Sequence, residues 1–260
     1  MTSEQNLLIG NAVNFNYDTP VGDSIMHQGQ VRLNRRFRNN LSFQLLYTYA
    51  KSIDDSSTFG GAGNTVAQNS LDLAAERGLS SFDRRHVLTG TYTWQSPVGI
   101  RNGLFQNQPF LEKSLKDWTI SGNITAETGT PLTARVLGNL SDTGGTGSIG
   151  SGRAEATGLP VEAGSGFFNL LAFTTPPPGQ FGDAGRNTIP GPGLFSMNLS
   201  LARNINLSER KRMEIRVDST NFLNHVNISN VGTVVNSLTY GLPSAAGGMR
   251  TLSATIRFRF

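Results

Sequence analysis

The last ten residues of the chain alternate between apolar and polar side chains with a period of two. The apolar positions are Leu252, Ala254, Ile256, Phe258 and Phe260, and the polar positions are Thr251, Ser253, Thr255, Arg257 and Arg259. Successive side chains of a β-strand point to opposite faces, so this pattern predicts a strand with one apolar and one polar face. A length of about ten residues and a terminal aromatic side chain are typical of a strand that crosses a membrane.

Seven further segments carry the same period-two pattern. They cover about residues 7–17, 28–37, 41–49, 88–94, 118–127, 195–201 and 213–218. With the terminal segment they predict about eight strands of roughly nine to twelve residues, which is the length that a tilted strand needs to cross a bilayer. The predicted fold class is therefore all-β.

The connections between these segments alternate between short and long. Short turns are predicted near residues 38–40 and 206–210, and long loops at about 53–84, 129–194 and 223–249. Short periplasmic turns and long extracellular loops are the arrangement of outer-membrane barrels. The sequence therefore predicts an antiparallel transmembrane β-barrel segment whose C-terminus lies in the periplasm.

Aromatic residues agree with this orientation. Trp94 and Trp118 are predicted near the periplasmic interface, and Tyr47 and Tyr49 near the outer interface. Aromatic side chains are enriched at both interfaces of membrane proteins, so these positions favour a membrane-spanning sheet over a soluble one.

Composition narrows the class of protein further. Hydrophobic residues make up 37% of the 260 residues and charged residues 15%, and no cysteine is present, which excludes disulfides and cysteine-ligated metal sites. The 22 basic residues are scattered rather than clustered, which argues against nucleic-acid binding. The sequence contains no run of about 18 apolar residues, so no transmembrane helix is predicted.

Several longer stretches carry a more specific signal. They are residues 45–54, 69–86, 118–122 with 128–131, 181–193 and 221–225. In this order, over about residues 25–260, they resemble the C-terminal barrel of the Oar-like TonB-dependent receptors, which are common in Acidobacteriota and myxobacteria. The resemblance is specific because no single short motif carries it.

The resemblance implies a receptor that imports a ligand across the outer membrane with energy from TonB. Such receptors have barrels of about 22 strands around an N-terminal plug, preceded by a TonB box. The sequence shows neither a plug nor a TonB box. We therefore expect residues 1–260 to form a single partial barrel domain, the open C-terminal third of a larger barrel. Contact with TonB is then expected only through a missing N-terminal part, and the ligand is unknown.

Two groups of charged residues are candidates for a functional role. The first stands where a long loop enters a strand, either as part of a ligand site or as a network that fastens the loop to the barrel rim; it consists of Glu76, Arg77, Asp83, Arg84, Arg85 and His86. The second is predicted to face the lumen, where charges can pair across strands; it consists of Glu127, Arg203, Arg216, Asp218, Arg257 and Arg259. No catalytic, cofactor-binding or metal-binding residue is predicted, and the protein is not expected to be an enzyme.

The predicted partners follow from the fold. Phe258 and Phe260 resemble the terminal signal that the barrel-assembly machinery recognises, so we expect that machinery and the outer-membrane lipid bilayer as partners. Two alternatives remain open. Eight strands are enough to close a small barrel, which would serve as an adhesin or envelope scaffold. The same pattern also fits a soluble β-sandwich with a binding role.

Overall fold

The computed structural model describes residues 20–38, 40–56, 67–98, 109–138, 140, 150–162, 166–208 and 210–260. The first predicted strand, at about residues 7–17, lies outside these ranges. Within them the regular secondary structure is almost entirely β, which confirms the predicted fold class. No helix in these ranges has both the length and the apolar character that crossing a membrane requires.

Twelve strands follow one another along the described part of the chain. They are β1 (Ser24–Arg38), β2 (Leu41–Asp54), β3 (Gly78–Leu79), β4 (His86–Gln95), β5 (Trp118–Glu127), β6 (Glu155–Ala156), β7 (Phe173–Thr174), β8 (Leu194–Asn206), β9 (Arg212–Thr220), β10 (Ile228–Val231), β11 (Pro243–Ala246) and β12 (Thr251–Arg259). A short helix, α1 (Pro109–Leu115), precedes β5, and 3-10 turns lie at Leu73–Glu76 and Leu170–Ala172.

Seven long strands form one antiparallel sheet in the order β1-β2-β4-β5-β8-β9-β12, and β3 pairs with the end of β2. Each long strand reverses the direction of the one before it, so the connections after β1, β4 and β8 lie at one end, called here the turn end. The long connections after β2, β5 and β9 lie at the other end, called the loop end. This alternation confirms the predicted arrangement of turns and loops.

The register divides the sheet into one apolar and one polar face. One apolar row consists of Tyr47, Leu88, Ala126 and Phe195, and the row beside it of Leu45, Gly90, Ile124 and Met197. Polar rows alternate with these, and in one of them the Asn198 amide donates to Asn123 Oδ1 at 3.1 Å. No described pairing from β2 to β12 in this sheet contains a bulge, so the two faces stay separate across six strands.

The height of the sheet matches that of a membrane. Trp118 begins β5 at the turn end, and Thr128 follows β5 at the loop end, where its hydroxyl accepts a hydrogen bond from the backbone N–H of His86. Ten residues at about 3.3 Å each, tilted by about 40°, rise by about 25 Å. This is about the height of the apolar band on an outer-membrane barrel.

The sheet has two free edges within the described ranges. β1 pairs only with β2, and β12 pairs only with β9. The sheet formed by the described residues is therefore open, in agreement with the predicted open partial barrel.

A glycine in β5 allows a close approach in the middle of the sheet. Gly122 lies opposite Tyr92 of β4. A Cβ atom at Gly122 would lie 2.1 Å from the backbone oxygen of Asn198 and 2.7 Å from the Tyr92 hydroxyl oxygen. The tyrosine ring covers the space that the missing side chain leaves, as aromatic residues do beside strand glycines.

Gly122→Ala is therefore expected to destabilise the sheet by about 1–3 kcal/mol, because the added methyl group forces the backbone or Tyr92 to move. Gly29→Ala in β1 is the matched control, since a Cβ there meets nothing within 4 Å. Urea unfolding in detergent micelles, followed by the fluorescence of Trp94 and Trp118, measures both variants. Equal unfolding midpoints for the two variants would contradict the close approach.

Candidate functional site

The long loops after β5 and β9 fold together into a compact unit. We call the described residues of 128–193 and 221–250 the loop cap. Its buried apolar core consists of Ala134, Ala154, Phe168, Ala172, Phe173, Ala184, Ile189 and Val231. Two backbone bridges, Leu132 to Ile189 and Arg135 to Val234, join segments that are distant in the sequence. These loops therefore have a core of their own and are not loose connections.

Tyr240 ties the second loop to the first within this core. Its ring lies edge-on to Phe168 with the ring centroids 5.4 Å apart, and its hydroxyl donates to the Leu170 carbonyl at 3.2 Å. Burial raises the pKa of the Tyr240 phenol above its usual value. The hydroxyl therefore stays protonated and available as a donor over the whole physiological pH range.

A buried ion pair attaches the loop cap to the end of β2. Arg186 Nη2 donates to Asp54 Oδ1 at 2.5 Å and also to the Asp54 backbone carbonyl, while Nε donates to the Glu76 carbonyl at 2.5 Å. Both side chains are almost fully buried, with 3% and 4% exposed. The backbone passes closely here, because a Cβ at Gly78 would lie 2.5 Å from the Arg186 carbonyl oxygen.

A second buried pair lies beside the first and joins the cap to the loop after β2. Arg153 Nη2 lies 3.8 Å from Glu76 Oε1, and Arg153 Nη1 donates to the Ala75 carbonyl at 2.8 Å. Gln68 completes the arrangement: its backbone N–H donates to Glu76 Oε1 at 2.9 Å, and its side-chain oxygen accepts from the Arg153 backbone N–H at 2.7 Å. The two arginines thus connect all three long loops, directly or through the cap core.

The other residues of the predicted rim group each make contacts of their own. The Ser52 backbone N–H donates to Asp83 Oδ1 at 2.6 Å, and Arg85 Nη2 lies 3.4 Å from Asp83 Oδ2. Arg84 Nε lies 3.4 Å from Glu127 Oε1. His86 Nδ1 lies 2.8 Å from the Tyr47 hydroxyl, and Arg77 forms an exposed ion pair with Asp23 at 3.3 Å. The predicted rim cluster is therefore several local contacts along the loop end.

Two asparagines shape the start of the loop after β9. Asn221 has a φ of 44°, its side-chain oxygen accepts from the His225 backbone N–H at 3.0 Å, and its amide donates to the His225 carbonyl at 2.8 Å. Asparagine is among the few residues that tolerate a positive φ. The side chain of Asn227 pairs with the backbone of Phe195 as a neighbouring strand would. Its amide nitrogen donates to the Phe195 carbonyl at 2.9 Å, and its Oδ1 accepts from the Phe195 backbone N–H at 2.8 Å.

A comparison with known protein families agrees with this architecture. A family model described as Outer membrane beta barrel domain matches residues 2–253. The chain belongs to this family. No curated protein and no solved structure matches the chain significantly. The outer-membrane barrel domain therefore resides in the outer membrane, with its apolar face toward the lipid.

Five of the six charged residues predicted to face the lumen lie on the polar face of the barrel domain; they are Glu127, Arg216, Asp218, Arg257 and Arg259. Glu214, which the prediction omitted, is the centre of one group: it lies 2.8 Å from Arg216 Nη2 and 3.9 Å from Arg257 Nη1.

An open pocket of about 360 Å³ lies at the turn end of the sheet. Its lining includes Asn204, Arg212, Glu214, Arg257 and Arg259. Arg212 and Arg259 face each other directly across the two strands there.

The prediction that Arg203 lies on the polar face is wrong. It pairs with Trp118 of β5 and with Ile215 of β9, and so lies on the apolar face of the barrel domain. β8 runs without a bulge, so Arg203 follows the apolar alternation of Leu199 and Leu201; the prediction went by charge instead of position. Its guanidinium carbon lies 5.5 Å from the Trp118 ring centroid, and Nη2 donates to the Lys113 carbonyl. An arginine at this level extends along the aromatic ring toward the headgroups.

The prediction also missed the residues that hold the barrel domain's loops together. Asp54 and Arg186 are 132 residues apart, so no local sequence pattern links them. Arg153 and Gln68 likewise have partners in another loop. The low proportion of charged residues, 15% of the chain, offers a signal for these contacts. An isolated arginine in a polar, glycine-rich loop, such as Arg153 or Arg186, needs an anionic partner when it is buried.

Arg186→Met is expected to destabilise the loop cap by about 3–5 kcal/mol, because Asp54 is left buried without its counter-charge. Arg77→Met is the matched control, since the Arg77–Asp23 pair is exposed and such pairs contribute about 0–1 kcal/mol. Hydrogen exchange of residues 150–162 and 181–193 measures the effect, and exchange in the centre of β4 and β5 reports on the sheet.

Faster exchange in the cap of Arg186→Met, with unchanged exchange in β4 and β5, is the expected result. The double variant Asp54→Leu with Arg186→Met should recover part of the protection, because it removes both charges. Equal exchange for Arg186→Met and Arg77→Met would contradict an anchoring role for the buried pair.

Proposed function

We propose that this barrel domain is part of the wall of a TonB-dependent receptor and that its loop cap contacts the imported ligand. The observation that carries the proposal is the attachment of the folded cap to the polar side of the sheet. Asp54 follows Ser52 and Ala50 on the polar-face positions of β2, and all three are buried. The anchoring arginine therefore approaches from the side that would line a lumen.

The free edges of the sheet support a larger barrel. In a bilayer, unpaired backbone N–H and C=O groups cannot be satisfied by water, so a membrane-spanning sheet needs a strand at each edge. β1 and β12 each lack a second neighbour among the described strands. Further strands beyond these edges would close the wall around a lumen wide enough for a plug, as in barrels of about 22 strands.

The surface of the loop cap supports ligand contact. Leu171 and Leu238 are 72% and 100% exposed, although both lie in a cap that has its own apolar core. We propose that both leucines belong to one ligand-contacting surface, since contiguous exposed apolar patches mark binding sites. The ordered backbone also lowers the entropy that the loops would lose when a ligand binds.

Energy coupling in this proposal comes from TonB, acting through a plug and a TonB box in the same receptor. The support for this part is the resemblance of residues 45–54, 69–86 and 181–193 to Oar-like receptors. The small closed barrel acting as an adhesin is the competing outcome of the test below.

The test uses an epitope tag inserted after Gly158, an exposed residue of the loop cap, in the gene of the native host. Outer membranes are cross-linked in cells with and without TonB, and the tagged product is isolated under mild detergent. The proposal predicts that TonB is cross-linked to the tagged polypeptide and that the folded species is as large as a 22-strand barrel. A folded, heat-modifiable species no larger than the 260-residue chain, without cross-linked TonB, would support the small barrel instead.

A further inference from the structure

The polar face at the turn end carries a row of hydrogen-bond donors that contains no carboxylate. Asn206, Arg212 and Arg259 are direct partners across β8, β9 and β12. Neighbouring strands are about 4.8 Å apart, so the row is about 10 Å wide. All three side chains line the turn-end pocket of about 360 Å³. One side of this pocket therefore consists of two guanidinium groups and an amide.

The two arginines of this row have no counter-charge in the described part of the chain. Arg212 and Arg259 are exposed, and neither forms an ion pair with another described residue. Arg216 and Arg257, by contrast, share the carboxylate of Glu214, at 2.8 Å and 3.9 Å. Like charges directly opposite each other destabilise an antiparallel strand pair. An anion held between Arg212 and Arg259 would remove this repulsion.

The carboxylates that line the pocket do not cancel this charge. Glu214 lies in the next row, opposite Asn204 of β8 and Arg257 of β12, and its two arginine partners neutralise it. Asp117 lies just before β5, where its backbone carbonyl accepts from the Asn204 N–H at 3.4 Å. Among the described residues, the four arginines of this region face two carboxylates, which leaves an excess of two positive charges.

The donors and the size of the pocket suit a phosphate group on a small molecule. A guanidinium binds phosphate through two parallel N–H···O bonds, and two facing arginines can hold the group from both sides. A volume of about 360 Å³ is in the range of small-molecule sites. It corresponds to about twelve water molecules, which is more room than a free phosphate ion fills. The rest of the pocket can take an organic part.

From this combination we propose that the turn-end pocket binds a small phosphate ester. The phosphate lies between Arg212 and Arg259 and accepts a further hydrogen bond from the Asn206 amide. The organic part lies against Asn204 and Arg257. The site is reached from water, because the polar face points away from the lipid. It rests on the register and the charges of β8, β9 and β12, and not on the proposed import.

The test measures binding by isothermal titration calorimetry to the protein purified from outer membranes in a nonionic detergent at low ionic strength. The probes are glycerol 3-phosphate, inorganic phosphate and methanesulfonate, which is a tetrahedral monoanion. Arg212→Gln with Arg259→Gln removes both guanidinium groups, and Arg212→Lys with Arg259→Lys keeps their charge. Arg32→Gln with Arg36→Gln is the matched control, since it removes two exposed arginines from β1 at the opposite edge of the sheet. Heat-modifiable gel mobility shows that each variant is folded.

The proposal predicts one glycerol 3-phosphate per protein, bound more tightly than inorganic phosphate and far more tightly than methanesulfonate. Affinity should fall about a hundredfold in the glutamine variant of the site, about tenfold for each arginine, and change less than about twofold in the β1 variant. The lysine variant should lose about tenfold, because an ammonium cannot form the paired hydrogen bonds of a guanidinium.

Four results would overturn parts of this proposal. The absence of saturable binding, or equal losses in the two glutamine variants, overturns the site, since binding would then be missing or would follow the overall charge alone. Equal affinity for methanesulfonate overturns the phosphate as the recognised group. Tighter binding of inorganic phosphate than of glycerol 3-phosphate overturns the ester. Full affinity in the lysine variant overturns the paired contacts of the two guanidinium groups.

Discussion

The structure depends on the constraint that one face of the sheet meets lipid and the other does not. A shift of one residue in any strand would move its polar side chains into the hydrocarbon, at a cost of several kcal/mol for a charged side chain near the centre. The pairings from β2 to β12 contain no such shift. The irregular pairing of the sheet, between Arg35 and Arg38 of β1, lies at the turn end, where a shift costs little. Strand length, turn position and the level of the aromatic residues follow from the same constraint.

The loops depend on a different interaction, namely two arginines buried against carboxylates. The chain has no cysteine, so the loop cap is held by a small apolar core and by the pairs of Arg186 with Asp54 and of Arg153 with Glu76. Buried ion pairs add little net stability compared with apolar packing, but they strongly disfavour arrangements in which one partner is left alone. They therefore select a single position for the cap above the polar face.

The strands could be predicted from the sequence because their signal is local. The period-two segments at 41–49, 118–127 and 213–218 lie within or coincide with β2, β5 and β9. They could be found because each strand of a sheet with one apolar face carries its own alternation of apolar and polar residues. Arg203 shows the limit of that reasoning. Its charge suggests the polar face, but its position in β8 continues the apolar series of Leu199 and Leu201. The cap could not be predicted, because partners such as Asp54 and Arg186 are far apart and each looks like an ordinary loop residue.

The most direct test of this account is a scan of single cysteines along β8, from Phe195 to Ile205, in lipid bilayers. Spin labels at these sites report their accessibility to oxygen, which concentrates in lipid, and to a water-soluble nickel complex. The account predicts oxygen accessibility at 195, 197, 199 and 201, nickel accessibility at the positions between them, and position 203 on the lipid side near the interface. Uniform accessibility, or lipid exposure of positions 196, 198 and 200, would contradict it.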